Sequence, residues 1–405
     1  MCYYRMDLST KSRVLMVVKV PKKLIKWWEM FNYVDQQKLI KILGDLTELL
    51  HVTPRPDLIE ALLTFWDPSS LVFRFGECEM TPTLAEISGL LHLPYIEKDM
   101  IRARNHTGVR FLQSCGLKSK GIRLGCLSDS WVSLDFLFAR FGPSEGFDCF
   151  WDEFHVTKEK WERKRLEVFT LALLGTLVFP LEERRINTRL QSVVMALFHK
   201  DQNDKGINQK GRFTLIPMIL TEIYKALTEV KGGMRFFEGS NLILQLWMME
   251  HLHAPSLVRP DVLDRCIPNR VKAMDSRLRL DKFSLPVGVD AWIEFLESRT
   301  RDNILWTYLW LRPKIVLLGC QTQFPLVMLG LNCTRPYSPS RVMRQLGRLQ
   351  DVPPAVDLLK DVEYFKDQAL GESKYEQFWK HATKLGVDTL KESLDNPGYT
   401  QGYEV

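Results

Sequence analysis

Residues 71–94 constrain the fold most, because they spell out a strand, a turn, a capped helix and a stop in unbroken succession. Leu71, Phe73 and Phe75 alternate with Val72 and Arg74, the period-two pattern of a half-buried strand, and Gly76 breaks the run. Two caps are available to the next helix: Thr81 with Pro82 in the first turn, or Thr83 in a capping box with Glu86. Either start puts Leu84, Ile87, Leu90 and Leu91 on one apolar face, and Pro94 prevents continuation.

Helical periodicity dominates on both sides of this stretch. Leu24, Trp27, Trp28 and Phe31 form one stripe, Leu39, Ile42, Leu43, Leu46, Leu49 and Leu50 a second. After Pro54 and Pro56, Leu58, Ile59, Leu62, Leu63 and Phe65 begin a third. Residues 97–130 are polar and basic, consistent with short helices joined by loops, and 131–141 returns to helical spacing. A long helix is expected over 158–179, with others over 187–199, 213–227 and 240–251. The apolar block 168–179 is shorter than the ~20 residues a membrane span needs, so it predicts a buried helix and no membrane partner. Apolar runs at 304–311 and 315–318 fit either strands or buried helix ends, and a second short strand pair is expected there. The predicted fold class is mainly α, a compact multi-helix domain with one or two small β-hairpins. Its expected divisions are an N-terminal arm over 1–20, a helical domain over 21–354 with a lobe boundary at 142–157, and an acidic helical tail over 355–405. The tail is expected to be a peripheral hairpin or a partner-binding helix.

At 405 residues the chain exceeds the usual single core of about 250–300, so two lobes sharing a helical core are expected. Its 45% hydrophobic and 26% charged residues fit a globular protein rather than a disordered one. The net charge of +6 conceals an asymmetry, since residues 351–405 hold 11 Asp and Glu against 6 Lys. A basic body with an acidic tail is compatible with nucleic acid or an acidic partner, although no run of five basic residues occurs. The eight Cys include no Cys-x-x-Cys pair, which predicts free thiols in a reducing compartment. The apolar run at 14–18 is too short for a signal peptide. An intracellular location is expected, with the triplets at Asn105 and Asn332 unglycosylated.

Ordered blocks along the chain resemble a known family. Phe73, Phe75, Gly76, Glu77, Thr81, Thr83, Leu84, Glu86, Leu90, Leu93 and Pro94 resemble the opening signature of the plant mobile domain, found in plant transposable elements and proteins derived from them. Arg165, Glu167, Phe169, Leu171, Ala172, Leu173, Phe179 and Pro180 match its middle, as do Gly239, Asn241, Leu244, Gln245, Trp247 and His251. Pro325, Leu326, Leu329, Pro336, Tyr337, Pro339, Arg341, Val342, Arg344, Gln345, Gly347, Gln350 and Pro353 resemble its closing signature. The chain looks closest to the uncharacterised relatives that accompany retroelements. The resemblance implies a non-catalytic interaction domain, nuclear, acting in genome or transposon regulation and plant development. Some family members are linked to a phosphoprotein phosphatase, so a scaffold acting with such an enzyme in trans is the alternative.

The leading candidate site is the segment after Tyr337. Ser338 suits an N-cap and Pro339 a first turn, so a helix is expected over 340–349. At 100° per residue Arg341, Arg344 and Arg348 would then form a basic stripe able to track phosphates. Against this, Arg341 and Arg344 could pair with acidic groups inside the domain. Asp148, Asp152, Glu153 and His155 offer hard ligands for a divalent ion, as a nuclease or transposase needs, but on no credible sheet; an acidic surface turn is the plainer alternative. Glu250, His251 and His253 lack the His-Glu-x-x-His spacing of a zinc helix and suit a helix C-terminus instead. Lys231-Gly232-Gly233 is a turn without phosphate-loop spacing. The pairs Trp27-Trp28 and Trp306-Trp310 could stack bases or simply pack in the core. The family is sometimes labelled aminotransferase-like, yet no motif nominates a Schiff-base lysine. No metal or cofactor is expected.

Overall fold

The computed structural model describes residues 15–118, 126–198, 212–252, 285–307, 311, 314–317, 325–348, 358–365 and 372–386. Helices provide most of the framework, each where apolar spacing gives it a face to bury. Helices α1 (Lys22–Glu29) and α2 (Tyr33–Leu43) are followed by a 3-10 turn, Gly44–His51, that carries Leu46, Leu49 and Leu50 into the core. Asn32 caps α2 by accepting from the Asp35 amide at 2.9 Å. Helix α3 (Pro56–Phe65) starts at the second of the two prolines, where a missing N–H costs nothing.

The expected hairpin near 71–80 is present and gains a third strand. Strands β1 (Trp66–Asp67), β2 (Val72–Phe75) and β3 (Cys78–Met80) form an antiparallel sheet in that order. Leu71 belongs to the preceding turn, with φ at 55°, so the strand begins at Val72. Gly76 also has positive φ, 51°, and sits so close to residue 299 that an added Cβ would lie 2.0 Å from the Arg299 carbonyl oxygen. Of the two available caps, α4 (Leu84–Leu91) uses the Thr83–Glu86 box: the Glu86 amide donates to Thr83 Oγ1 at 3.1 Å and the Thr83 amide to Glu86 Oε2 at 3.0 Å.

The chain continues through β4 (Asp99–Met100), α5 (Gly108–Cys115), β5 (Trp131–Ser133), α6 (Leu134–Phe141), α7 (Gly146–Cys149) and α8 (Lys158–Leu173). Helix α8 runs on as a π-helical turn, Leu174–Val178, and the whole apolar block is buried. Then come β6 (Arg185–Asn187), α9 (Leu190–Phe198), β7 (Phe213–Thr214), α10 (Ile216–Lys231), α11 (Asn241–His251) and α12 (Val289–Glu297). The last elements are β8 (Ile315–Leu317), β9 (Leu326–Leu329), β10 (Thr334–Tyr337), α13 (Glu372–Lys380) and β11 (Lys384–Gly386). Outside the three-stranded sheet the described strands pair in twos: β4 with β7 in parallel, and β5 with β6, β9 with β10 and β8 with β11 antiparallel. The fold is mainly α.

Two local expectations are corrected. A strand pair within 304–318 does not form among the described residues; Ile315–Leu317 pairs instead with Lys384–Gly386, a partner no local pattern reveals. The helix expected over 340–349 is replaced by two 3-10 turns, Pro339–Arg341 and Arg344–Leu346. Ser338 makes no side-chain cap, and Gly347 adopts the left-handed region at φ 70°, closing the second turn. In the tail, α13 packs Tyr375 and Trp379 against the body near β4 and β9. Trp379 Nε1 donates to the Lys98 carbonyl at 2.7 Å, and Arg102 pairs with Glu376 at 2.6 Å. Leu390 and Leu394 lie outside the described residues. One cluster of buried side chains joins elements from Leu15 to Ala382. Among the described residues no helix is long and apolar enough to cross a membrane.

Candidate functional site

Thr83, Trp247, His251 and Gln345, drawn from three of the resembling blocks, converge inside the protein on Glu86. This carboxylate is buried, on an α4 face otherwise made of Leu84, Ile87, Leu90 and Leu91. Besides the Thr83 amide, Trp247 Nε1 on α11 donates to Oε2 at 2.9 Å, and Gln345 Nε2 lies 3.0 Å from both oxygens. His251, one turn beyond Trp247, places Nε2 at 3.2 Å from Oε1 with neither side chain exposed. Its Nδ1 is 2.7 Å from the Leu305 carbonyl; a carbonyl only accepts, so Nδ1 carries the proton there. The Leu305 amide donates back to the His251 carbonyl at 2.9 Å.

Gln345 extends the network to Thr81. Its amide donates to the Thr81 carbonyl at 2.8 Å while its Oε1 accepts from the Thr81 N–H at 3.1 Å. The Thr81 hydroxyl donates to Tyr224 OH at 3.1 Å, and that phenol donates to the Pro82 carbonyl at 2.8 Å. Burial pushes the Tyr224 and Tyr337 phenols above the usual tyrosine range. Segments near residues 81–86, 224, 247–251, 305 and 345 are thereby locked together. These groups face one another and not solvent, the arrangement of a network that helps fix a fold.

A second buried charge cluster lies along α10. Lys225 Nζ is 3.4 Å from Glu222, 3.5 Å from Glu238 and 3.9 Å from Glu229. Burial alone would lower the Lys225 ammonium, yet Glu222 and the other carboxylates hold it above the ordinary lysine range. Burial raises Glu229. Arg335, buried in β10, donates to the Thr334 carbonyl at 2.7 Å and to Tyr364 OH at 2.5 Å.

The three candidate arginines do not share a helical face. Arg341 donates to Glu79 at 3.0 Å, and Glu79 also accepts from Arg74, which reaches Asp67 at 2.6 Å. The internal pairing expected as the alternative therefore holds for Arg341. Arg344 lies over the Trp306 ring, 5.0 Å from its centroid, and is half-buried, as is Arg348 beyond Gly347. Burial pushes the nearby Cys78 thiol up to about 12, against the opposing charges of Arg344 and Arg299.

The other candidates disperse. Glu153 is held bidentately by Arg140 at 2.5 and 2.8 Å, Asp148 pairs with Lys158 at 2.8 Å, and the Asp152 carbonyl accepts from Lys118. No group of three or more His, Cys, Asp or Glu among the described residues is placed to hold a metal ion. His251 serves the Glu86 hub rather than its own helix end, and His253 lies outside the described residues. Lys231 donates to the Leu63 and Thr64 carbonyls, both at 2.9 Å, closing the end of α3, and burial lowers its amine. Trp27 is buried against Phe138 and Phe169, a core role, and Trp310 lies outside the described residues. The Glu86 hub is not visible as a site in the sequence, because a Glu three residues after a Thr reads as a helix cap and nothing more. Its members were nonetheless among the residues of the resemblance, and a lone carboxylate on an apolar helix face was the available signal.

No curated protein and no solved structure matches the chain. The family model of the plant mobile domain matches residues 46–404, a span that contains the Glu86 hub, the α10 cluster and the tail helix, and the chain therefore belongs to the plant mobile domain family.

Proposed function

We propose that this chain is a non-catalytic interaction domain of transposable-element origin that acts in the nucleus by binding nucleic acid or an acidic protein partner. One observation carries the reading: Thr81, Thr83, Trp247, His251 and Gln345, all residues that mark the family, gather around Glu86 inside the core. Lys225, the one buried lysine among the described residues, is held as an ammonium, which further favours a scaffold over aminotransferase-like chemistry. Function then falls to the surface, where the sequence supplies an excess of positive charge.

The test is fluorescence anisotropy of labelled single- and double-stranded DNA and RNA with the full chain across salt. Binding at micromolar or tighter, with log K falling linearly in log salt, is the expected result. Absence of binding at low salt would move the reading to a protein scaffold. The variant Arg341→Ala/Arg344→Ala/Arg348→Ala decides whether the closing arginines take part. If they touch phosphates the salt slope becomes shallower, and an unchanged slope removes them.

A further inference from the structure

Residues 1–26 are strongly basic. They hold Arg5, Lys11, Arg13, Lys19, Lys22, Lys23 and Lys26 against Asp7 alone, a balance equal to the +6 of the entire sequence. After Lys26 a balance of +5 over residues 27–350 is cancelled by −5 over 351–405. The described part of this segment is fastened to the body. The Met16 amide donates to the Arg235 carbonyl at 2.9 Å, and the Phe237 amide to the Met16 carbonyl at 3.0 Å. Asn241, fully buried, accepts from the Val18 amide at 3.2 Å and donates to its carbonyl at 3.3 Å. Leu15, Val18, Leu24 and Trp27 are buried, whereas Lys19, Lys22 and Lys26 are exposed. Lys22 and Lys26, four residues apart in α1, share a face about 6 Å apart along the axis.

These lysines differ from many of the other surface cations. Lys38 pairs with Asp35, Arg140 with Glu153, Lys158 with Asp148, Arg212 with Asp99 and Lys374 with Glu363. Even Lys23 reaches Asp135 at 2.8 Å, but no described carboxylate pairs with Lys19, Lys22 or Lys26. Helix stability does not account for them, because the first turn of α1 has no acidic residue and carries lysines at the end of the dipole that favours acids. Nor does the helix offer a free apolar face: Leu24 and Trp27 are buried and Ile25 and Trp28 half-buried, so it has neither the wedge of a bilayer-lying helix nor the aromatic anchor of a protein interface. Unpaired ammonium groups without apolar anchors fit a polyanion with regularly spaced charge.

We infer that Lys19, Lys22 and Lys26, on a basic arm over residues 15–26, lie along the phosphate backbone of a nucleic acid. This rests on the nucleic-acid reading above and moves its contact surface from the closing arginines to the opposite end of the chain. Contacts of this kind are sequence-independent and salt-sensitive, so the arm positions the domain on its target without selecting a base.

The test compares two full-length variants that each remove two exposed, unpaired cations, Lys22→Gln/Lys26→Gln in the arm and Arg104→Gln/Arg110→Gln outside it. Unchanged thermal unfolding of both confirms that charge alone is being read. With labelled single- and double-stranded oligonucleotides, the arm variant is expected to lose on the order of tenfold in affinity near 0.1 M salt and to flatten the log–log salt slope by about 2, while the other changes by no more than about twofold. Equal losses in the two variants, or undiminished binding by the arm variant, overturn the inference while leaving nucleic-acid binding intact. A wild-type chain that binds neither oligonucleotide at low salt fails the nucleic-acid reading itself. Binding to phosphatidylserine vesicles but not to oligonucleotides reassigns the lysines to lipid headgroups and overturns it as well.

Discussion

A single carboxylate gathers several of the family-marking residues. Burying Glu86 is costly unless its lone pairs are filled, and the Thr83 amide, Trp247 indole and Gln345 amide fill them from three separate segments. The Glu86→Ala change leaves those donors facing an empty space in the core. It is expected to lose about 3–5 kcal/mol of stability, because breaking a buried charged network strands the surviving partners. Urea denaturation checks this, with Glu77→Ala, on the exposed turn between β2 and β3, expected to stay within about 0.5 kcal/mol. Equal effects of the two changes would show that the hub contributes nothing special. Only half of Glu86's role was legible in advance: the Thr83 spacing announces a capping box, but the second oxygen's partners come from residues 251 and 345, too far along the chain for any local pattern to show.

At the level of elements, what could be read was whatever one face of one segment determines. The stripes at Leu24, Leu39, Leu58 and Leu84 all became helices, because an apolar face four residues in period has one way to be buried. The segment after Tyr337 had the same local signs and did not become a regular helix. Its side chains answer to distant partners, Arg341 to Glu79 and Gln345 to Thr81, and Gly347 turns the chain away. The strand pair β8–β11 was illegible for the same reason. Turn glycines carry the corresponding prediction. Gly347→Ala forces a Cβ into the left-handed region and is expected to cost about 1–2 kcal/mol, its nearest neighbour being a Thr307 methyl at 3.2 Å. Gly76→Ala meets the same strain and in addition drives a Cβ to 2.0 Å from a backbone oxygen of residue 299, so it must cost more. Denaturant midpoints rank the two, and a Gly76 variant as stable as the Gly347 variant would contradict the close packing of the hairpin on that residue.

For the molecule as a whole, one core implies one response to alkali. Cys78 on β3, Cys115 at the end of α5 and Cys333 before β10 are buried in three separate places, and burial pushes each thiol up to about 12. An unfolded thiol ionises near 9, so between pH 9 and 12 the unfolded chain releases protons that the folded chain retains. Stability from these groups is therefore complete below pH 9 and is lost as pH rises toward their folded values. The buried phenols of Tyr95, Tyr224 and Tyr337 act in the same direction, but only above the ordinary tyrosine value of 10. The window between pH 9 and 10 thus belongs to the thiols. Thermal unfolding followed by circular dichroism should show the midpoint falling through that window in the wild type and staying nearly level in the triple variant Cys78→Ala/Cys115→Ala/Cys333→Ala, whatever its starting stability. An equally steep fall in both would mean that the thiols ionise without unfolding the core, and hence that at least one of these regions opens to solvent independently of the rest.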